Sequence, residues 1–446
     1  MLTAPLNLNE AFGTIQSPLI SPFPPHTLSL NLIVKNEVGN IKQAIESARG
    51  IANEIIVNDT GSTDGTQAIL EALGVTWFQT TWKKNFSEAR NQCIRKSTSA
   101  WILWIDADDR LSEETCLLIQ KLKKEPLNSI HGFEVINTQD QTNNGPRFLQ
   151  IRLFPNNPSL QFERSIHEQI DTSAANLGLH CRYHSTAIFH RGYESPQLKK
   201  EKAHRNLPLI LADTKRLHTN PSFAMSLGDA YYILEEWEKG IHAYQQVLNI
   251  PDAKTINQEV YEDIPTYIGF GFSQLKKWEK AEEWLNHALE PQPKKSEPYF
   301  YLAKVFSQTN RSVQAIQLYH SILSMKQPIT GTLNRYHSIR LNSLLQLIKL
   351  HYKSRSYPQS ICFCKQLISE QPKLVEPYYW LGLNHKKQLK PKEAVTAWTN
   401  GLELNPTLMI EIHRELLNLL KEMGQSELYQ HCLKLAQLHF TEFNQA

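Results

Sequence analysis

Three short stretches carry the residue types best able to do chemistry. Asp106, Asp108 and Asp109 follow the apolar run Trp101 to Ile105 in WIDADD, Asp59 and Asp64 frame NDTGSTD, and Lys35, Asn36 and Glu37 follow LSLNLIV. Carboxylates packed this closely repel one another and cost free energy to desolvate, so a chain that sets them behind a buried run must offset that repulsion. A divalent cation does this. Oxygen ligands suit Mg²⁺ or Mn²⁺ rather than zinc, and a cation in such a place neutralises a diphosphate. DTGSTDGT is neither GxGxxG nor a Walker sequence, which argues against dinucleotide binding and NTP hydrolysis.

The elements around these stretches place them together. LSLNLIV, EIIV, VTWF and WILWI read as strands, and helical spacing fills the gaps between them: VGNIKQAIESARG, TDGTQAILEALG and FSEARNQCIRKS. Parallel strands need a crossover to return, so this alternation predicts an α/β domain with a doubly wound, mostly parallel sheet. Ligands of such sheets bind outside the carboxyl ends of the strands, where all three stretches fall. A helix over about Ser112 to Lys124 follows. GFEVINT, FLQIRLF and AIFHRGY then predict a mixed, partly antiparallel far side of the same domain. Asp64 sits where an N-cap is wanted, and Glu37 also suits the first turn of a helix.

The second half repeats. Small residues at Gly240, Ala281, Ala315, Ser360 and Ala394 are each followed four positions later by Tyr244, Leu285, Tyr319, Cys364 and Trp398, with Pro251, Pro293, Pro372 and Pro406 at or near unit ends. A small residue where two helices cross, a bulky one a turn later and a closing proline describe a helix-turn-helix unit that must stack on neighbours to bury its face. Aromatic residues there, Trp237, Trp278 and Trp284 included, are expected to pack. The expected layout is a flexible leader over 1–26, the α/β domain over 27–206, a helical linker over 207–219, an all-α repeat solenoid over 220–406 and capping helices over 407–446.

With 47 Lys and Arg against 44 Asp and Glu, the net charge is +3, and no basic stripe points to nucleic acid. The six cysteines form no CxxC pair, which fits reduced thiols in a cytoplasm. No signal peptide and no run of about 18 apolar residues is present, so no transmembrane segment is expected.

VKNE, NDTGSTDGT and WIDADD, in this order and spacing, resemble the family 2 glycosyltransferases of the GT-A fold, with DAD in the place of that fold's DxD. The resemblance covers roughly residues 28–193. It is closest to the bacterial branch in which such a domain is joined to tetratricopeptide repeats, which includes the bacteriocin S-glycosyltransferases. It implies a divalent-metal-dependent, inverting, hexosyltransferase-type enzyme that uses a nucleotide sugar, a UDP-sugar first among them. Lys35, Asn36 and Glu37 would belong to the nucleotide-sugar site. Asp59 would contact the base, Asp106 would lie near ribose and metal, and Asp108 would ligate the metal. His190 in FHRGY resembles the histidine that completes metal coordination, and Arg191, Lys199 and Arg205 are candidates for the diphosphate. SIHEQI matches a similar HEQ of this branch and makes Glu168 the candidate general base, since an inverting transfer needs a carboxylate to take the acceptor's proton. HEQID is not HExxH, because position 171 is Asp, so a zinc protease of that type is excluded.

The pattern departs in one respect. The ED pair and QxxRW segment that hold the base in many family 2 enzymes are absent from the α/β part; the sole ED, Glu262 and Asp263, falls among the repeats. The repeats suggest a protein or peptide acceptor, or pairing of two copies into a homodimer. Two rival readings are a nucleotide-sugar-binding scaffold without turnover and a nucleotidyltransferase.

Overall fold

The structure is a computed structural model that describes residues 19–137, 146–191, 196–291, 295–326 and 335–445. It comprises two compact units: the first runs to Lys276 and also takes in Arg335, and the second holds the other described residues from Lys277 onward.

The first unit holds one eight-stranded mixed sheet: β1 Leu28–Val34, β2 Glu54–Asp59, β3 Thr76–Gln79, β4 Trp101–Trp104, β5 Asp109–Leu111, β6 Ser129–Asn137, β7 Arg147–Pro155 and β8 His180–His190. They lie in the order β3-β2-β1-β4-β7-β6-β8-β5. β3, β2, β1 and β4 pair in parallel; beyond them β4 with β7, β6 with β7 and β5 with β8 are antiparallel and β6 with β8 is parallel, so the far side is mixed as the sequence predicts. Helices α1 Ile41–Arg49, α2 Thr66–Ala72, α3 Phe86–Lys96, α4 Glu113–Leu122, α5 Asp171–Asn176 and α6 Pro196–Ala212 accompany it. α6 runs without interruption through residue 206, carrying Pro208 inside it.

β1 lies between β2 and β4 and is buried on both faces, with Ser29 and Asn31 on one and Leu28, Leu30 and Leu32 on the other. Leu28, Leu30 and Leu32 pack with Ile45, Val57 and Leu103 in the main core. From β1 the chain winds outward through β2 and β3, then returns to β4 on the other flank of β1, which makes the carboxyl ends of β1, β2 and β4 a topological switch point. Of the expected leader, residues 1–18 lie outside the described residues, whereas Leu19 N donates to Leu127 O at 3.1 Å and Phe23 packs on the sheet's core.

Helical pairs of the tetratricopeptide type follow. The first unit holds Pro221–Ile233 with Trp237–Leu248, then Gln258–Gln274. The second holds Trp278–Leu289 and the pairs Ser296–Gln308 with Ser312–Ser324, Tyr336–Lys353 with Tyr357–Glu370, Glu376–Lys387 with Pro391–Leu404, and Ile410–Glu422 with Ser426–His439. All ten residues of the small-then-bulky pattern, from Gly240 and Tyr244 to Ala394 and Trp398, are buried. Pro293 lies outside the described residues. A residue of positive φ ends each first helix: Glu235, Lys276, Asn310, Arg355, Leu389 and Gly424. Only the last is the glycine that this backbone favours, and this hides the turns from a reading for glycine.

Candidate active site

The sheet edge at the switch point is built from short loops fixed by their own side chains. Asp59 ends β2 fully buried, its Oδ1 accepting from Gly61 N, Ser62 N and Ser62 Oγ at 2.8–3.0 Å and its Oδ2 from Gln67 Nε2 at 2.6 Å. Its carboxylate thus shapes its own loop. Asn36, in the left-handed region at φ 57°, donates from its N–H to Ser62 Oγ, and its Oδ1 accepts from Thr63 N at 2.8 Å. Asp64 accepts from Val38 N and from Thr66 N, with Gly65 between it and α2. The first and second stretches are therefore knitted together, and Lys35 beside them is exposed.

The third stretch meets the first through Glu37. Burial and the neighbouring carboxylates of Asp108 and Asp106 push the Glu37 carboxyl above its ordinary range, against a hydrogen bond from Asn40 and the charge of Lys202.

Behind β4, residues 106–109 form a tight turn. Asp106 N donates to Asp109 Oδ2 at 2.8 Å, and Asp109 N to Asp106 O at 3.0 Å. Buried Arg110 buttresses it by donating to Ala107 O, Asp109 O and Asn40 O. The antiparallel register of β5 and β8 sets His190 opposite Asp109, so Nδ1 lies 2.8 Å from Asp109 Oδ1 and 3.4 Å from Asp108 Oδ1. A carboxylate held against an imidazole in this way fixes the orientation of a ligating ring. Burial opposes charge on this ring, but the hydrogen bond to Asp109 and the surrounding aspartates outweigh it and push the pKa up to about 9. Arg191 follows; its N–H donates to Asp108 O at 2.9 Å, and its buried Nε has no hydrogen-bond partner among the described residues.

Two arginines do much of what the sequence leads one to expect of a cation. Arg90, from α3, is 6% exposed; it donates to Asp106 Oδ1 at 2.8 Å and to Glu168 Oε1 at 2.6 Å. Arg152, from β7, is 1% exposed and lies 3.0 Å from Asp109 Oδ2 and 3.6 Å from Asp106 Oδ2. Both guanidinium groups lie over the Trp104 ring, at 3.8 and 3.9 Å from its centroid. Burial tends to raise the Asp106 carboxyl, yet Arg90 and Arg152 hold it well below the usual carboxylate range. Asp108 goes the other way, pushed up by burial and by Asp106 and Asp109, with His190 and Lys202 opposing. Negative charge is thus in excess at Asp108, where a further cation is most favoured. One ligand atom from each of Asp106, Asp108, Asp109 and His190 lies within 4.8 Å of the others. A set of carboxylate oxygens and one imidazole fits Mg²⁺ or Mn²⁺.

The loop of Glu168 is pinned to α3. Phe86 N donates to Ser165 O at 2.9 Å, and Asn91 exchanges hydrogen bonds with the Phe162 backbone at 2.8 and 2.9 Å. Arg90, Arg152, Lys202 and Asp109 went unassigned in the sequence reading. Arg90 and Arg152 do leave a trace: each is a charge inside an apolar pattern, on the buried face of α3 with Cys93 and Ile94, and in the strand LQIRLF.

The parallel sheet, its switch point and the acidic turn after β4 define a GT-A domain. Residues 29–194 match the model of the family described as Glycosyl transferase family 2. A TPR repeat-containing protein of Synechococcus elongatus is 32% identical over 196 residues, covering 42% of this chain and 48% of that protein. The SPbeta prophage-derived glycosyltransferase SunS of Bacillus subtilis is 29% identical over 227 residues, 50% of this chain and 53% of that one. The chain spans about half the length of these curated relatives. A crystal structure of MamA protein aligns with 42% of this chain and 92% of its own at 17% identity, with a TM-score of 0.34. No described helix is long and apolar enough to cross a membrane.

Proposed function

We propose that the protein transfers a sugar from a nucleotide-sugar donor, a UDP-sugar, to a protein or peptide side chain, with inversion and with Mg²⁺ or Mn²⁺. One observation carries this reading: a single buried guanidinium, Arg90, binds both Asp106 of the acidic turn and Glu168 of the HEQ loop. A donor-side carboxylate and a carboxylate able to act as base are thereby held across one side chain, which is the arrangement a direct displacement at a sugar carbon needs.

The residues take these roles. Asp108, with Asp106 and His190, would hold the cation, which when bound supplies positive charge to the departing diphosphate. Asp59, through the loop it shapes, and Lys35, Asn36 and Glu37 line the nucleoside side, and Arg191 faces the phosphates. Glu168 accepts the acceptor's proton as its nucleophile attacks the anomeric carbon. Asp109 holds the His190 ring, and Arg152 holds Asp109 and Asp106 in place. The helical pairs present the acceptor; pairing of two chains is their alternative use.

The test is to incubate the full chain with a panel of UDP-sugars, Mn²⁺ and peptides from a cell lysate, and to follow UDP and peptide mass. UDP release with a sugar-sized gain on a peptide is the expected result. Pyrophosphate release from UTP and a sugar 1-phosphate, supplied in a parallel incubation, would replace the proposal with nucleotidyl transfer, and binding of UDP-sugar without any of these products would replace it with a scaffold.

A further inference from the structure

Lys202 belongs to none of the motifs and lies beyond residue 194, where the family match ends. It projects from α6, with its Nζ 3.5 Å from Asp108 Oδ2 and its side chain 27% exposed. The same ammonium also acts on Glu37, so one lysine faces both the first and the third acidic stretch. Lys199 and Arg205 stand one turn away on either side, yet Lys202 is the one whose ammonium lies against Asp108.

Charge decides what this arrangement can do. Asp108 is the carboxylate of the turn that Arg90 and Arg152 leave uncompensated, because they are engaged by Asp106, Asp109 and Glu168. An ammonium brings one positive charge to it from 3.5 Å, and a divalent cation in direct contact brings two, so the cation prevails and then repels the lysine. A lysine head on a flexible four-carbon stem can turn away without moving its helix. A bound donor's diphosphate, which carries more charge than the Glu37 carboxylate on the same side, is then the anion that draws it.

We propose that Lys202 is a phosphate ligand of the donor site that competes with the divalent cation for Asp108 until the donor binds. This rests on the nucleotide-sugar reading of the same site. Lys202 therefore opposes the cation by itself and favours the cation together with a nucleoside diphosphate. A lysine that merely stabilised the fold would shift both bindings in one direction.

The experiment uses the full chain and its Lys202→Met and Lys202→Arg variants. Mn²⁺ alone is titrated by electron paramagnetic resonance of the free ion, and UDP is titrated calorimetrically at saturating Mn²⁺. Lys202→Met is expected to bind Mn²⁺ several-fold more tightly and UDP about tenfold or more weakly, the range for a lost hydrogen bond to a charged group. Lys202→Arg is expected to recover most of the UDP affinity. Unchanged binding of both, or weakening of both, in Lys202→Met overturns the role of Lys202 while leaving the donor site standing. A wild-type chain that binds neither Mn²⁺ nor UDP overturns both readings together.

Discussion

The Arg90 Nε–H donates to Glu168 Oε1 at 2.6 Å, with 6% of the arginine and 11% of the glutamate side chain exposed. Burial opposes the charge of Arg90, but Asp106 and Glu168 outweigh it and hold the guanidinium firmly protonated. Replacing Arg90 by Ala leaves Glu168 without its partner and Asp106 with Arg152 alone. A stability loss of about 3–5 kcal/mol is expected in urea unfolding.

Arg90→Lys separates positioning from folding. Lysine keeps the charge but cannot reach both carboxylates with a planar fork. A misplaced base lowers kcat by about 100-fold, and KM for the donor is expected to change far less. A donor KM that rises as much as kcat falls, in the Lys and Ala variants alike and with guanidinium restoring neither, would contradict the positioning role.

Asp108→Asn should trade stability against function. Burial and the neighbouring aspartates disfavour the ionised carboxyl of Asp108, so an uncharged amide relieves that strain. The melting temperature is expected to hold or rise, and UDP release in Mn²⁺ to fall by about 100-fold or more. Loss of the fold in Asp108→Asn would show the carboxylate to be structural instead.

His131 gives a pH signature away from the active site. It is fully buried between Trp101 and His184, with Nδ1 3.1 Å from His184 Nε2. Burial, with the charges of His184 and Arg182 adding to it, pushes its pKa down to about 3. The unfolded histidine binds its proton near pH 6.5. Below that the unfolded state gains protons that the folded state refuses, so stability falls as pH drops from about 6.5 towards 3, by up to about 1.4 kcal/mol per pH unit. Above about 6.5 the group contributes nothing. In His131→Asn, urea unfolding between pH 4.5 and 8 should lose stability less steeply; parallel curves for the two proteins would refute this assignment.

Gly382→Ala tests the packing of the repeats. A Cβ there would lie 2.1 Å from Nε1 of Trp398, a fully buried ring whose Nε1 donates to Tyr379 O at 3.0 Å and so cannot swing aside. Overpacking costs up to about 3 kcal/mol, against a helix-propensity gain of about 1 kcal/mol for glycine to alanine. A net loss of stability is expected by thermal unfolding, with UDP binding unchanged.

Periodicity was enough to read the sheet's parallel half, because LSLNLIV alternates Leu with Ser and Asn, WILW is apolar on both faces, and the helices between the strands show 3.6-residue spacing. The same holds for the repeats, where every pair from Gly240 and Tyr244 to Ala394 and Trp398 is buried. Topology then requires Lys35 to Glu37, Asp59 and Asp106 to Asp109 to share one edge, since parallel neighbours end on the same side. What neutralises the aspartates was not legible in the sequence. Arg90 is 16 residues from Asp106 and 78 from Glu168, and Arg152 arrives one residue past the Leu103–Leu153 pair of an antiparallel register. Lys202 comes from a helix outside the motif-bearing segment. Charge compensation depends on distances of 3–4 Å between groups far apart in the chain. Local spacing fixes which face a residue occupies, and only the packed tertiary structure decides which opposite charge meets it there.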